Sequence, residues 1–207
     1  MWMWVLVFLL CQVLIIPIYF LSVSHLYLQE KFGIESGNRI GSYLGLISGW
    51  GFFGFWIAIW LSPQSRFAIP IIQELIVVIP FVNLSIPFLH LVLAVLFLLP
   101  GAFLGIEGVR EMGLEAAEKH RSDYLITSGV YSRVRHPQYL GALLSHSGMS
   151  FLVSGLYSML ATPIMILLCV LYSWKEEREL VSEFGEEYRE YARRVPMYIP
   201  KFYPGKQ

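Results

Sequence analysis

Apolar residues fall in long runs along this chain, broken at intervals by short polar clusters. A helix needs about 20 apolar residues to cross the hydrocarbon core of a bilayer. Runs of that kind occupy residues 5–28, 43–61, 68–82, 86–106, 138–155 and 156–174. The third is short and carries Glu74 and Pro80. One helix over 68–106 would be close to 60 Å long, about twice the core, so a hairpin turning near residues 83–87 is the better solution. The pattern predicts an all-α integral membrane protein with six transmembrane helices, five being the next count. The first run exceeds the apolar stretch of a secretory signal and has no small-residue cleavage pattern, so it reads as a retained span. After Trp174 the period changes. Leu180, Val181, Phe184, Tyr188, Tyr191, Ala192 and Val195 share one helical face, with Glu and Arg opposite, and Pro196 ends the stretch. This predicts a C-terminal amphipathic helix on the cytoplasmic side. Its many glutamates suit packing on the protein's own mouth better than an anionic membrane surface.

Composition agrees with a lipid environment: 56% of the 207 residues are hydrophobic, and the mean hydropathy is +0.59. Of the 30 charged residues, 24 lie from Glu107 onward. The chain therefore divides into N-terminal spans, 1–106, and a half that mixes spans with aqueous-facing segments, 107–207. With six spans, 13 of the 15 Lys and Arg residues share one side, which the positive-inside rule makes cytoplasmic, with both termini there. Zero net charge gives no support for nucleic-acid binding. Cys11 and Cys169 lie inside apolar runs and form neither a disulfide framework nor a metal set. Gly41, Gly45 and Gly49, and again Gly141, Gly148 and Gly155, recur at helical spacing. Such faces let helices approach closely, within one protomer or across a homodimer.

Two segments could carry chemistry. In Arg133-Val134-Arg135-His136-Pro137-Gln138-Tyr139, Pro137 suits the first position of a helix and His136 its cap. The free N–H groups of that first turn, with two arginines near, would make an anion site. The same arginines are also what any cytoplasmic helix end carries. In Lys175-Glu176-Glu177-Arg178, paired carboxylates stand at a membrane boundary, where one could bind an ammonium group or both could simply be solvated. A zwitterionic amino-acid moiety would satisfy both segments at once.

Leu125-Ile126-Thr127-Ser128-Gly129-Val130-Tyr131 followed by Arg135-His136-Pro137-Gln138-Tyr139-Leu140-Gly141 resembles the central motif of the isoprenylcysteine carboxyl methyltransferases. Glu176-Glu177, then Phe184-Gly185-Glu186-Glu187-Tyr188 and Tyr191, Arg194, Val195 and Pro196, is similar to that family's C-terminal motif. The related phospholipid N-methyltransferases share the Pro-x-Tyr-x-Gly core and the paired glutamates, and Gly101-Ala102-Phe103-Leu104-Gly105 resembles their upstream glycine segment loosely. The resemblance implies a membrane methyltransferase using S-adenosylmethionine, with Asp123, Tyr124, Leu125, Ile126, Tyr131, Arg135, His136, Pro137, Gln138 and Tyr139 around the cofactor. It implies that Glu176 holds the cofactor's amino group and that Glu177 supports the pocket. The family carries an arginine four residues before the first glutamate, where the acceptor's carboxylate is thought to bind; this chain has Tyr172.

Methyl transfer from a sulfonium asks a protein to position donor and acceptor and to exclude water, and it needs no protein nucleophile. No catalytic base stands out; Glu107, His120 and His146 are candidates whose residue types equally suit structural roles. The resemblance implies O-methylation of a carboxylate on a lipidic or hydrophobic acceptor entering from the membrane. N-methylation of a phospholipid amine is the competing reading. A non-catalytic scaffold or a transporter would leave the joint motif as coincidence, and neither an internal repeat nor a set of ionisable residues within the spans supports the latter.

Overall fold

The computed structural model describes residues 2–71, 75–80, 84–119 and 124–200. Glu74, Asn83, His120 and Asp123 lie outside the described residues. Eight helices are described: α1 (Trp2–Val23), α2 (His25–Phe32), α3 (Ile34–Leu61), α4 (Phe88–Met112), α5 (Leu114–Lys119), α6 (Pro137–Leu152), α7 (Leu156–Phe184) and α8 (Glu186–Arg194). Strands β1 (Ile76–Ile79) and β2 (Leu84–Pro87) pair antiparallel, Ile76 opposite Pro87. Four helices, α1, α3, α4 and α7, are long and apolar enough to cross a membrane. The protein is thus helical in architecture, with a single small hairpin among the described residues.

The described residues of the span expected over 68–82 form no α-helix. Ile76-Val77-Val78-Ile79 is a β-branched run bounded by prolines at 70 and 80, and β-branched side chains favour the strand that forms. A hydropathy window cannot distinguish such a run from part of a buried helix. The segment before it is tied to the α6–α7 turn, where the Phe67 amide donates to Ser154 and the Leu156 amide donates to Ser65.

Losing that span changes the polarity of the chain. α1 starts beside Tyr157 and Leu160 at the beginning of α7 and ends with Tyr19 bonded to Glu176. The two helices therefore run parallel, and the start of α1 lies at the opposite end of the bundle from α8. The expectation placed both termini on one side, and the structure sets the start of α1 and α8 at opposite ends of the bundle. Arg66 is now the described basic residue at the far end.

α1, α3 and α7 form the core through Val5, Leu9, Ile15, Tyr19, Phe52, Trp56, Ile59, Met165, Leu168 and Tyr172. Leu10, Leu14, Leu96, Leu99, Leu160 and Leu167 point outward and are well exposed. Apolar exposure on this scale suits contact with lipid. α4 and α6 pack antiparallel and very closely. A Cβ on Gly141 would lie 2.6 Å from the Gly105 amide nitrogen, and one on Gly148 would lie 3.0 Å from the Ala94 carbonyl oxygen. Both glycines are consumed within the protomer, which removes their face as a dimer surface. The segment 101–105 likewise serves this packing. In α3, Gly37 and Gly41 meet Leu28 and His25 of α2.

Candidate active site

The last long helix continues well past the expected limit at Trp174, through Phe184, and breaks at Gly185. Gly185 has φ +56°, a conformation that costs other residues. The break turns α8 back, so that Tyr188, Tyr191 and Val195 pack against Leu125, Leu180, Val181 and Phe184. The chain after α8 then joins the segment before α6. The Arg135 amide donates to the Pro196 carbonyl at 2.9 Å and the His136 amide to the Met197 carbonyl at 3.2 Å. Tyr198 anchors this segment, its hydroxyl 2.6 Å from Ser173 Oγ and 2.8 Å from the Cys169 carbonyl.

These elements close one end of a cavity of about 300 Å³. Its wall contains Tyr124, Leu125, Ile126, Tyr131, Arg135, His136, Pro137, Gln138, Tyr139, Tyr172 and Glu176. The fold thus brings together residues far apart in sequence, while Glu177 stands behind the wall. Arg135 donates to Glu177 through Nε at 2.8 Å and Nη2 at 2.7 Å. Its Nη1 donates to the carbonyls of Ala192 and Val195. The expected anion site at this helix start therefore lacks its arginines: Arg135 is saturated internally, and Arg133 points to solvent. The reason is the α8 tail, whose free carbonyls at the helix end attract a guanidinium.

His136 caps α6 and is buried between the two glutamates, Nδ1 3.3 Å from Glu176 Oε2 and Nε2 3.0 Å from Glu177 Oε1. Burial alone would lower its pKa, but hydrogen bonds and charge from Glu176 and then Glu177 hold it above the usual imidazole range. When protonated it places a positive charge beside Glu176. The Glu176 carboxylate also accepts from Tyr139 at 2.7 Å and from Tyr19, and the two tyrosine hydroxyls are themselves bonded.

Tyr131 is fixed twice. Its hydroxyl donates to the Gly108 carbonyl at 3.2 Å, and its own carbonyl accepts from Tyr191 at 2.7 Å. Gln138 donates to the same hydroxyl at 3.1 Å. Upstream, Glu111 accepts from the Val130 amide at 3.0 Å and lies directly over Gly129, which has φ +52° and room for no side chain. Of the candidate bases, His146 is buried with Trp60 Nε1 2.9 Å from Nδ1 and the Ser158 carbonyl 3.0 Å from Nε2, bonds that explain it structurally. Glu107 pairs with Arg110 at the surface.

Sequence reasoning missed the opposite wall, made by Tyr19, Gly45, Ser48, Gly49, Trp50, Phe52 and Phe53. A signal was present for Tyr19. It stands seven residues after Gln12, itself seven after Val5, and all three fall on the buried face of α1. For α3 the small residues read only as packing, whereas Gly45 and Gly49 leave the space that becomes cavity.

A family model described as phospholipid methyltransferase matches residues 89–187. Among curated proteins, the protein-S-isoprenylcysteine O-methyltransferase of Schizosaccharomyces pombe is 34% identical over 93 residues, 41% of this chain and 36% of that protein. The human protein of the same name is 37% identical over 91 residues, covering 40% of this chain and 30% of the relative. Methanethiol S-methyltransferase 2 of Bradyrhizobium diazoefficiens is 40% identical over 75 residues, 36% of this chain and 28% of the relative. The similarity thus spans about a third of the length of these relatives. No solved structure matches. The region from α4 to the start of α8, which supplies most of the cavity wall, is similar to the isoprenylcysteine and phospholipid methyltransferases.

Proposed function

We propose that this chain is a membrane methyltransferase of the isoprenylcysteine type, drawing its methyl group from S-adenosylmethionine and passing it to a hydrophobic acceptor. The observation that carries the reading is the pairing, on one cavity wall, of the Glu176 carboxylate with the His136 imidazole, both of whose ring nitrogens face carboxylates. These fit the ammonium and carboxylate of an amino-acid moiety. Tyr124, Leu125, Ile126 and Leu180 line the cavity with apolar area suited to a purine, and Glu183 lines the same cavity and could meet hydroxyl groups. The bound cofactor would supply a methyl group already activated as a sulfonium. Glu176 orients its amino end, Glu177 and Arg135 hold His136 in register, and Tyr131 with Gln138 rigidifies the adjacent wall. Tyr188 and Tyr191 of α8 cover one end of the cavity and shield that end from water.

The acceptor has a route from the membrane. α3 makes its main contacts with α1, α2 and α5, leaving Trp50, Phe53 and Leu46 beside the gap toward α4, at a point continuous with the cavity. Five crossings, by α1, α3, α4, α6 and α7, would place every described basic side chain except Arg66 on the cavity's side, which the positive-inside rule makes cytoplasmic. The start of α1 would then face the opposite compartment. The relatives' names specify O-methylation of protein-S-isoprenylcysteine and S-methylation of methanethiol, so the family relation admits oxygen or sulfur as the accepting atom.

The test is transfer of isotopically labelled methyl from S-adenosylmethionine to an extractable apolar product in proteoliposomes. Label in an apolar product that disappears with Glu176→Gln is expected. Absence of any labelled product from folded, cofactor-binding protein offered a broad lipid and thiol mixture would contradict the reading.

A further inference from the structure

The charge of the cavity wall narrows the acceptor, granted the methyltransferase reading above. Four carboxylates face the cavity among the described residues: Glu118, Glu176, Glu179 and Glu183. Against them stands a single permanent cation, Arg135, with its donors committed to Glu177, Ala192 and Val195. The wall histidines are His25 and His136, the second clamped by two glutamates. Two other described cations near this end are committed: Lys175 pairs with Glu179, and Arg178 lies 5.0 Å over the Trp174 ring. A carboxylate entering this space would lose hydration with no described guanidinium or ammonium left to pair it, which costs several kcal/mol.

Deeper in, the wall is aromatic. Tyr172 is buried with its ring 4.3 Å from Tyr19, 5.3 Å from Phe52 and 6.4 Å from Tyr139. The Tyr19 and Tyr139 hydroxyls serve Glu176, but the Tyr172 hydroxyl has no hydrogen-bond partner among the described residues. A buried hydroxyl left unpaired is costly, so its presence in a cavity wall points to a ligand.

We propose that the acceptor enters uncharged and is methylated on a thiol sulfur, which the Tyr172 hydroxyl contacts. A primary amine, with an ordinary pKa near 10.4, would arrive protonated and need a base. Glu176, one turn along α7 from Tyr172, already holds two tyrosines and a histidine. A thiol, with a pKa of about 8.5, enters neutral and gives up its proton to water at the open mouth as the sulfonium's charge draws out the thiolate. The acceptor's S–C bond then forms as the donor's C–S bond breaks. The electron pair of the broken bond stays on the donor sulfur, which leaves as a neutral thioether. Tyr172 donates to the acceptor sulfur while it carries negative charge.

The test offers 1-octanethiol, octanoate and octylamine, one tail with three head groups, to the full chain in detergent with S-adenosylmethionine. Calorimetry of the cofactor alone and of 1-octanethiol on the S-adenosylhomocysteine complex runs beside it. Methylation of the thiol with kcat/KM at least about tenfold above either competitor is expected. Tyr172→Phe should weaken thiol binding to that complex about fivefold, the loss of one ordinary hydrogen bond, and leave cofactor affinity unchanged. Preference for octanoate or octylamine overturns the proposal, as does a cofactor-binding protein that methylates none of the three. Unchanged thiol affinity in Tyr172→Phe removes the Tyr172 contact. Failure to bind the cofactor at all removes the methyltransferase reading beneath it.

Discussion

At the scale of single residues, Glu176 is the most heavily contacted group, facing His136, Tyr139 and Tyr19 together. Exchange for glutamine keeps its shape and removes its charge, so loss of affinity for an ammonium ligand should exceed loss of fold. Arg135 is the reverse case. Its partners are internal, and Arg135→Ala leaves Glu177 partly buried without its guanidinium, at a cost of about 3 kcal/mol seen as a lower unfolding temperature. His136 adds a pH dependence. Its folded pKa is raised, so the stability it contributes is fully present below the unfolded value of about 6.5 and is lost as pH rises through the folded value. Cofactor affinity should fall over the same interval, because the charge facing the ligand's carboxylate disappears. A pH series of binding isotherms checks this, and affinity flat across that interval would mean His136 carries no charge in the site. These residues were legible in the chain because a proline, a histidine and paired carboxylates are costly at a membrane boundary unless used. Tyr172 was legible as an oddity, its unpaired hydroxyl was not, and Glu111 gave no signal, since only the fold brings its carboxylate over Gly129.

At the scale of elements, the tightest joint is α4 against α6. Gly141→Val would drive a side chain into the α4 backbone at residues 101 and 105, and a loss of roughly 1–3 kcal/mol is expected on thermal unfolding in detergent. Gly54→Ala, with open space around its position inside α3, should leave the unfolding temperature unchanged or slightly raised and serves as the control. Equal effects of the two would contradict the packing described. Hydropathy located the four helices long and apolar enough to cross a membrane, α1, α3, α4 and α7, each of which buries a stripe and leaves other apolar side chains exposed, and it also marked the shorter α6. It failed at 68–82, where a β-branched run and two prolines form a hairpin of comparable apolarity. The α7 break was also misplaced. Helical periodicity persists through Trp174 without interruption, and Gly185, the residue that permits the turn, lies eleven positions later.

At the scale of the whole molecule, the fold is a lipid-facing bundle with one polar end. The core of α1, α3 and α7 holds the aromatic wall, and the α4–α6 pair carries the motif up to it. The α8 segment then seals the joint through carbonyls that bind Arg135 and His136. Parallel α1 and α7 put the chain's start at the far end from α8. Single cysteines introduced at Ser65 and at Glu190, in a background where Cys11 and Cys169 are serine, should label from opposite faces of oriented vesicles. Labelling from the same face would restore the six-span topology.

The most direct measurement is equilibrium binding of S-adenosylmethionine and S-adenosylhomocysteine to the solubilised protein, beside Glu176→Gln and His136→Ala with unfolding temperatures recorded for each. Saturable binding by the natural sequence, weakened at least about tenfold in both variants while they remain folded, is the expected result; this corresponds to about 1.4 kcal/mol or more. Binding unaffected by either substitution would place the cofactor elsewhere, and no binding by folded natural protein would contradict the methyltransferase function itself.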